Sequence, residues 1–94
     1  MKTIAVDIDG VLCELNDTEI PILEHTPIFD NIESVNKLYH YNIINLYTSR
    51  DESLRFETMK WLLEHGVLYH NLVMNKLRAD YYIDDKSVDF KDLL

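Results

Sequence analysis

One cysteine, two glycines and two prolines are all that this 94-residue chain holds of three residue types that often shape small domains. A lone Cys13 excludes an internal disulfide and a zinc site built from clustered cysteines, and it agrees with a reducing compartment. With so little Gly and Pro there is no Gly- or Ser-rich linker, and nothing repeats or is low in complexity, so residues 1–94 read as one domain. No apolar run approaches the ~20 residues of a membrane span. The start, Met1-Lys2-Thr3-Ile4-Ala5-Val6-Asp7, lacks a signal-peptide layout because acid arrives at once. A soluble cytoplasmic protein is expected. Positive charge is also scarce: 9 Lys and Arg stand against 17 Asp and Glu, a formal net charge of −8. Nucleic-acid phosphates and anionic lipid headgroups repel such a chain, so neither nucleic acid nor membrane is an expected partner. What is abundant is apolar: 47% of residues are hydrophobic, which argues against disorder. A domain of this length buries roughly 60–65% of its unfolded surface and folds alone with little spare stability.

The apolar residues alternate between strand and helix patterns. Thr3 to Ile8 is apolar on both faces, as a buried parallel strand reads. Residues 11–29 are irregular, broken by Pro21 and Pro27. Asp30 and Glu33 have capping-box spacing, and Ile32, Val35, Leu38 and Tyr39 recur at helical intervals behind them. Ile43 to Thr48 is a second strand. Ser49 and Glu52 repeat the capping-box spacing; Leu54, Thr58, Trp61, Leu62 and His65 share one helical face, and Gly66 is the stop. Leu72-Val73-Met74 and Tyr81-Tyr82-Ile83 read as third and fourth strands. This alternation predicts a parallel α/β sheet with right-handed crossovers.

In such sheets ligands bind at the carboxyl ends of the strands. Asp7 and Asp9, Thr48 and Ser49, Lys76, and Asp84 with Asp85 each sit just past an expected strand end. A turn at Gly10 brings both first carboxylates toward one point. Carboxylates gathered at one locus need a cation or protons, and oxygen ligands beside a phosphate suit Mg²⁺. A hydroxyl and an ammonium at the same edge are donors for an anion. The set describes phosphoryl transfer, where positioning and charge neutralisation supply most of the catalysis and a carboxylate can be the nucleophile.

These residues resemble the haloacid dehalogenase superfamily of phosphatases and phosphotransferases. Its first signature, Asp-x-Asp-Gly-x, stands here as Asp7-Ile8-Asp9-Gly10-Val11; its second, a strand-ending Thr or Ser, as Thr48 in Leu46-Tyr47-Thr48-Ser49-Arg50. Its third, a Lys, matches Lys76, and its acidic pair matches Asp84-Asp85 in Tyr82-Ile83-Asp84-Asp85-Lys86. The matches keep the family's order and span residues 3 to 86. The resemblance implies a three-layer α/β/α Rossmann-like core and a Mg²⁺-dependent phosphomonoester hydrolase. Asp7 would be the nucleophile and Asp9 the general acid and base. Thr48 would bind a phosphoryl oxygen, with Gly10, Ser49 and Arg50 beside the substrate, and Lys76 would neutralise charge. Asp7, the Asp9 main-chain carbonyl and Asp84 would hold the metal, with Asp85 outside the direct ligand set. Lys76 is followed by Leu77 where many relatives have Pro. The intervals from Asp9 to Thr48 and from Thr48 to Lys76 are too short for an inserted cap domain, and the sequence given ends ten residues after Asp84, so a minimal capless member is expected. The expected substrate is a small phosphomonoester such as a sugar phosphate or nucleotide.

Each residue also has a plainer reading. Asp at strand ends caps helices and makes turns. Ser49 serves as a helix N-cap as well as it serves as a ligand, and Arg50 either meets substrate or is solvated. Cys13 reads as a small apolar residue under the loop, and the four histidines show no metal-ligand spacing. Other functions are a phospho-accepting Mg²⁺-binding module or a catalytically idle regulatory subunit. Receiver-like domains carry the acidic pair first, whereas here it comes last. A capless domain with many tyrosines is also compatible with a homo-oligomer.

Overall fold

A computed structural model describes residues 1–15 and 19–94. The Ile-rich run Ile43–Tyr47 (β2) lies between Thr3–Asp7 (β1) and Asn71–Val73 (β3), all parallel, in the order β1-β2-β3. The register aligns Val6 with Leu46 and Leu46 with Leu72, and Ile4 with Ile44. This alternation gives the sheet a continuous apolar row, with Ile44 and Leu46 fully buried. Among the described residues only β2 has two neighbours, so β1 is an edge strand with exposed residues, not the strand buried on both faces that its composition predicts.

Phe29–Tyr39 (α1) buries Ile32, Val35 and Leu38 and packs on β2, and a Glu33–Lys37 ion pair lies on its exposed side. Arg55–Glu64 (α2) buries Thr58, Trp61 and Leu62 and packs on a 3-10 turn at Ile22–Glu24, which lies inside the irregular 11–29 segment. Gly66 ends this region at φ +69°, a left-handed value that suits glycine. Neither expected capping box forms. The N-cap of α1 is Ile28, which places Asp30 inside the first turn. Ahead of α2 a 3-10 turn, Glu52–Leu54, is capped by Asp51, whose carboxylate accepts from the Ser53 N–H at 2.9 Å.

The fourth expected strand does not form: Tyr81-Tyr82-Ile83 is irregular, with Tyr81 and Ile83 exposed. The chain instead returns through a 3-10 turn at Phe90–Asp92, with Phe90 and Leu93 packed against the core. An open cleft of about 1060 Å³ separates this segment from the free edge of β1. Among the described residues no helix is long and apolar enough to cross a membrane.

Candidate active site

Past Asp7 the backbone leaves the sheet. The Ile8 N–H still donates to the Tyr47 carbonyl at 3.1 Å, while the N–H groups of Val11, Leu12 and Cys13 turn back on the Ile8 carbonyl at 3.2, 2.9 and 3.3 Å. Gly10 closes this turn at φ +85°, and a Cβ there would press on the Leu15 side chain at 3.3 Å. Asp7 thus ends β1 and Asp9 lies just past it, in the turn.

The segments after β2 and β3 are stitched to each other. Thr48 N–H donates to the Val73 carbonyl at 3.0 Å, Lys76 N–H to the Thr48 carbonyl at 2.9 Å, and Asn75 N–H to the Arg50 carbonyl at 2.9 Å. Asn75 adopts φ +61°, a left-handed value that asparagine tolerates better than most residues. This turn swings Lys76 back over the strand ends. Its Nζ lies 3.3 Å from Asp7 Oδ2, although the two residues are 69 positions apart. The same Nζ lies 4.1 Å from the centre of the Tyr47 ring and 3.8 Å from that of Tyr82.

Asp9 accepts from both neighbours. Thr48 Oγ1 donates to its Oδ2 at 2.8 Å, and Arg50 Nη2 donates to its Oδ1 at 2.7 Å. The buried Thr48 hydroxyl in turn accepts from the Arg50 N–H at 3.2 Å. Arg50 departs from its expected place beside the substrate. It is buried, its Nη1 donates to Thr58 Oγ1 at 3.0 Å, and its Nη2 also lies 3.3 Å from His25 Nδ1. A guanidinium only donates, so His25 Nδ1 accepts and its Nε2–H donates to the Ile20 carbonyl at 3.0 Å. Trp61 Nε1–H holds the His25 carbonyl at 2.9 Å. The physical reason for the inward turn is that a buried guanidinium must find partners, and Asp9, Thr58 and His25 supply them. Ser49 is half-buried and caps neither the 3-10 turn nor α2.

Asp9, Cys13 and His25 bring three ligand-type atoms within 4.8 Å of one another. Arg50 Nη2 stands among them, 3.8 Å from Cys13 Sγ. Burial foremost, and then the Asp9 charge, push the Cys13 thiol up to about 11, so it stands as a neutral thiol beside the arginine. The trio is a socket for the arginine.

Asp84 lies in an exposed turn, its Oδ1 accepting from the Lys86 N–H at 2.8 Å. That amide, followed by a hydrogen bond with the Asp85 side chain, holds the Asp84 carboxyl below its ordinary range. Asp84 lines the β1 cleft together with Asp7, Asn31 and Tyr47. The structure thus joins Asp7 to Lys76 and Asp9 to Thr48 and Arg50, and it brings Asp84 to the cleft that Asp7 also lines, with its hydrogen bonds made inside its own turn. Sequence reasoning missed Thr58, His25 and Tyr82. Thr58 left a signal, a hydroxyl on the buried face of α2 that needs a partner; His25 and Tyr82 left none.

No family model matches the chain, and no curated protein does. Two solved structures share its fold. A Vibrio cholerae protein is 24% identical with a TM-score of 0.79, over 98% of this chain and 86% of that one. A chain of a Pnkp1/Rnl/Hen1 complex is 21% identical with a TM-score of 0.69. That match covers 89% of this chain but only 31% of the other. At these identities the likeness shows a shared α/β fold.

Proposed function

We propose that the chain is a Mg²⁺-dependent phosphomonoester hydrolase working through an aspartyl-phosphate, on a capless three-layer α/β/α core of the haloacid dehalogenase type. The observation that carries the reading is the convergence at one sheet edge of Asp7, Lys76, Asp9 and Thr48, drawn from three separate strand ends. Lys76 occupies Asp7 Oδ2, leaving the other carboxylate oxygen to attack phosphorus. The P–O bond to the alcohol breaks as Asp9, protonated at the Oδ2 that Thr48 vacates on turning to the substrate, gives that proton to the departing oxygen. Asp9, then a carboxylate, takes a proton from the water that attacks the aspartyl-phosphate, and inorganic phosphate leaves. With substrate bound, the Thr48 hydroxyl turns its single proton from Asp9 Oδ2 to a phosphoryl oxygen, and Lys76 offsets the negative charge that builds on Asp7 and the phosphoryl group. The oxygen donors of Asp7, Asp84 and the Asp9 main-chain carbonyl fit a hard cation in type. Mg²⁺ bound there would supply Lewis-acid neutralisation of the phosphoryl oxygens.

The test is phosphate release from sugar phosphates, nucleotides and an aryl phosphate, with Mg²⁺ or with EDTA, beside Asp7→Asn. Turnover that needs both the metal and Asp7 is the expected result, and full activity in Asp7→Asn would overturn it. A second reading, a phospho-accepting module, is favoured by one feature: Thr48 and Arg50 already occupy both Asp9 oxygens. If that pairing persists after Asp7 is phosphorylated, the base is withheld from water. A phosphoenzyme lasting minutes would select this reading, and one lasting under a second would reject it.

A further inference from the structure

We propose that Tyr47 and Tyr82 are positioning residues that hold the Lys76 ammonium against Asp7; the inference rests on the phosphatase reading, in which Lys76 neutralises charge. Lysine is a long flexible side chain, and Lys76 follows a left-handed Asn75 in a segment without regular structure, so its own backbone does little to fix it. Its ion pair with Asp7, at 3.3 Å, is longer than the ~2.8 Å of a strong charge-assisted bond. The two aromatic rings supply what this contact lacks. Both ring centres lie well inside the ~6 Å over which a π face attracts a cation.

The rings are themselves anchored. Tyr47 ends β2, in register with Asp7 on one side and Val73 on the other. The Tyr82 hydroxyl donates to the Leu77 carbonyl and accepts from the Ala79 N–H at 3.0 Å. These bonds close residues 77–82 into a loop that begins next to Lys76 and returns a ring over it. In the run Tyr81-Tyr82-Ile83 all three side chains are exposed, the middle one least, at 48% against 88% and 101%. A residue with half its own surface still in water contributes little core; its hydroxyl bonds direct the ring, and the face so presented meets the ammonium. Tyr82 acts on the reaction through Lys76.

The experiment compares Tyr82→Leu and Tyr82→Phe, each in the wild-type and the Lys76→Met background. Tyr82→Leu is expected to lower kcat by about tenfold with KM little changed. Tyr82→Phe keeps the ring but loses the hydroxyl bonds to Leu77 and Ala79, so its rate should fall between those of Tyr82→Leu and the wild type. With Lys76 already replaced by Met, Tyr82→Leu should cost nothing more. An undiminished loss in that background, or no loss in the wild type, overturns the proposal. A second readout is independent of turnover: the ε-methylene protons of Lys76 should resonate upfield in the NMR spectrum because of ring currents, and Tyr82→Leu should return them toward an ordinary lysine position. If the wild type hydrolyses nothing while the upfield shift is present, the phosphatase reading fails and the cage stands. An unshifted wild-type signal removes the cage whatever the activity.

Discussion

Arg50 carries its charge into the interior, and its partners set the consequence. Arg50→Met would leave Asp9 Oδ1 with only the weak Cys13 thiol donor and take the guanidinium donor from the Thr58 hydroxyl, at a cost of about 2 kcal/mol. Urea unfolding at neutral pH measures it. Arg50→Lys keeps the charge but cannot span Asp9 and Thr58 with one point-like ammonium, so its stability should fall between the two. Asp9 was legible in the sequence because its neighbours Asp7 and Gly10 announce a turn. Arg50 was not, because its side-chain direction depends on Asp9 and His25, 41 and 25 positions away, which no local pattern encodes. Cys13 was read as a small buried residue, and it is fully buried. Its raised pKa has a sign that can be checked. Between pH 9.0 and about 11 the unfolded chain gives up the thiol proton while the native chain keeps it. Stability should therefore fall through that window, and Cys13→Ala should flatten the fall in a series of melts.

At the scale of elements, apolar periodicity located β1, β2 and both helices, because each buries a regular row or stripe. It failed where structure depends on a partner. Tyr81-Tyr82-Ile83 has strand composition, but strand propensity measures fit to neighbouring strands, and these residues do not pair with the free edge of β1. The caps failed for a related reason: spacing alone cannot choose among nearby polar residues, and Asp51 rather than Ser49 reaches an amide. Asp51 has its carboxyl held below the ordinary value of 3.8 by the Ser53 hydroxyl and amide. It therefore favours the fold when ionised. Asp51→Ala should lower Tm at pH 7, and the gap to wild type should close as the pH falls below 3.8 and the wild-type carboxylate is protonated. Gly66 isolates backbone strain, since a Cβ there meets nothing within 4 Å. Gly66→Ala should cost about 1 kcal/mol, read from the same melts, from its left-handed φ alone.

Across the whole molecule the excess of negative charge sets how an anion arrives. The net charge of −8 repels a phosphate monoester at long range, while Lys76 attracts it only close to the strand ends. Raising ionic strength from about 0.01 to 0.15 M shortens the screening length from about 30 to about 8 Å. That removes the distant repulsion and leaves much of the local attraction, because Lys76 is largely buried. Under the proposed phosphatase reading, kcat/KM for a small phosphomonoester should therefore rise over this range, with Mg²⁺ held constant and a weakly binding salt anion. A polyanionic substrate held by counterion release would show the opposite trend, a steep fall with salt. That mode needs a row of cations, and this chain has only 9 Lys and Arg, of which Arg50 is spent on Asp9 and Lys76 on Asp7. The sign of the salt dependence thus separates the two substrate classes before any substrate is named.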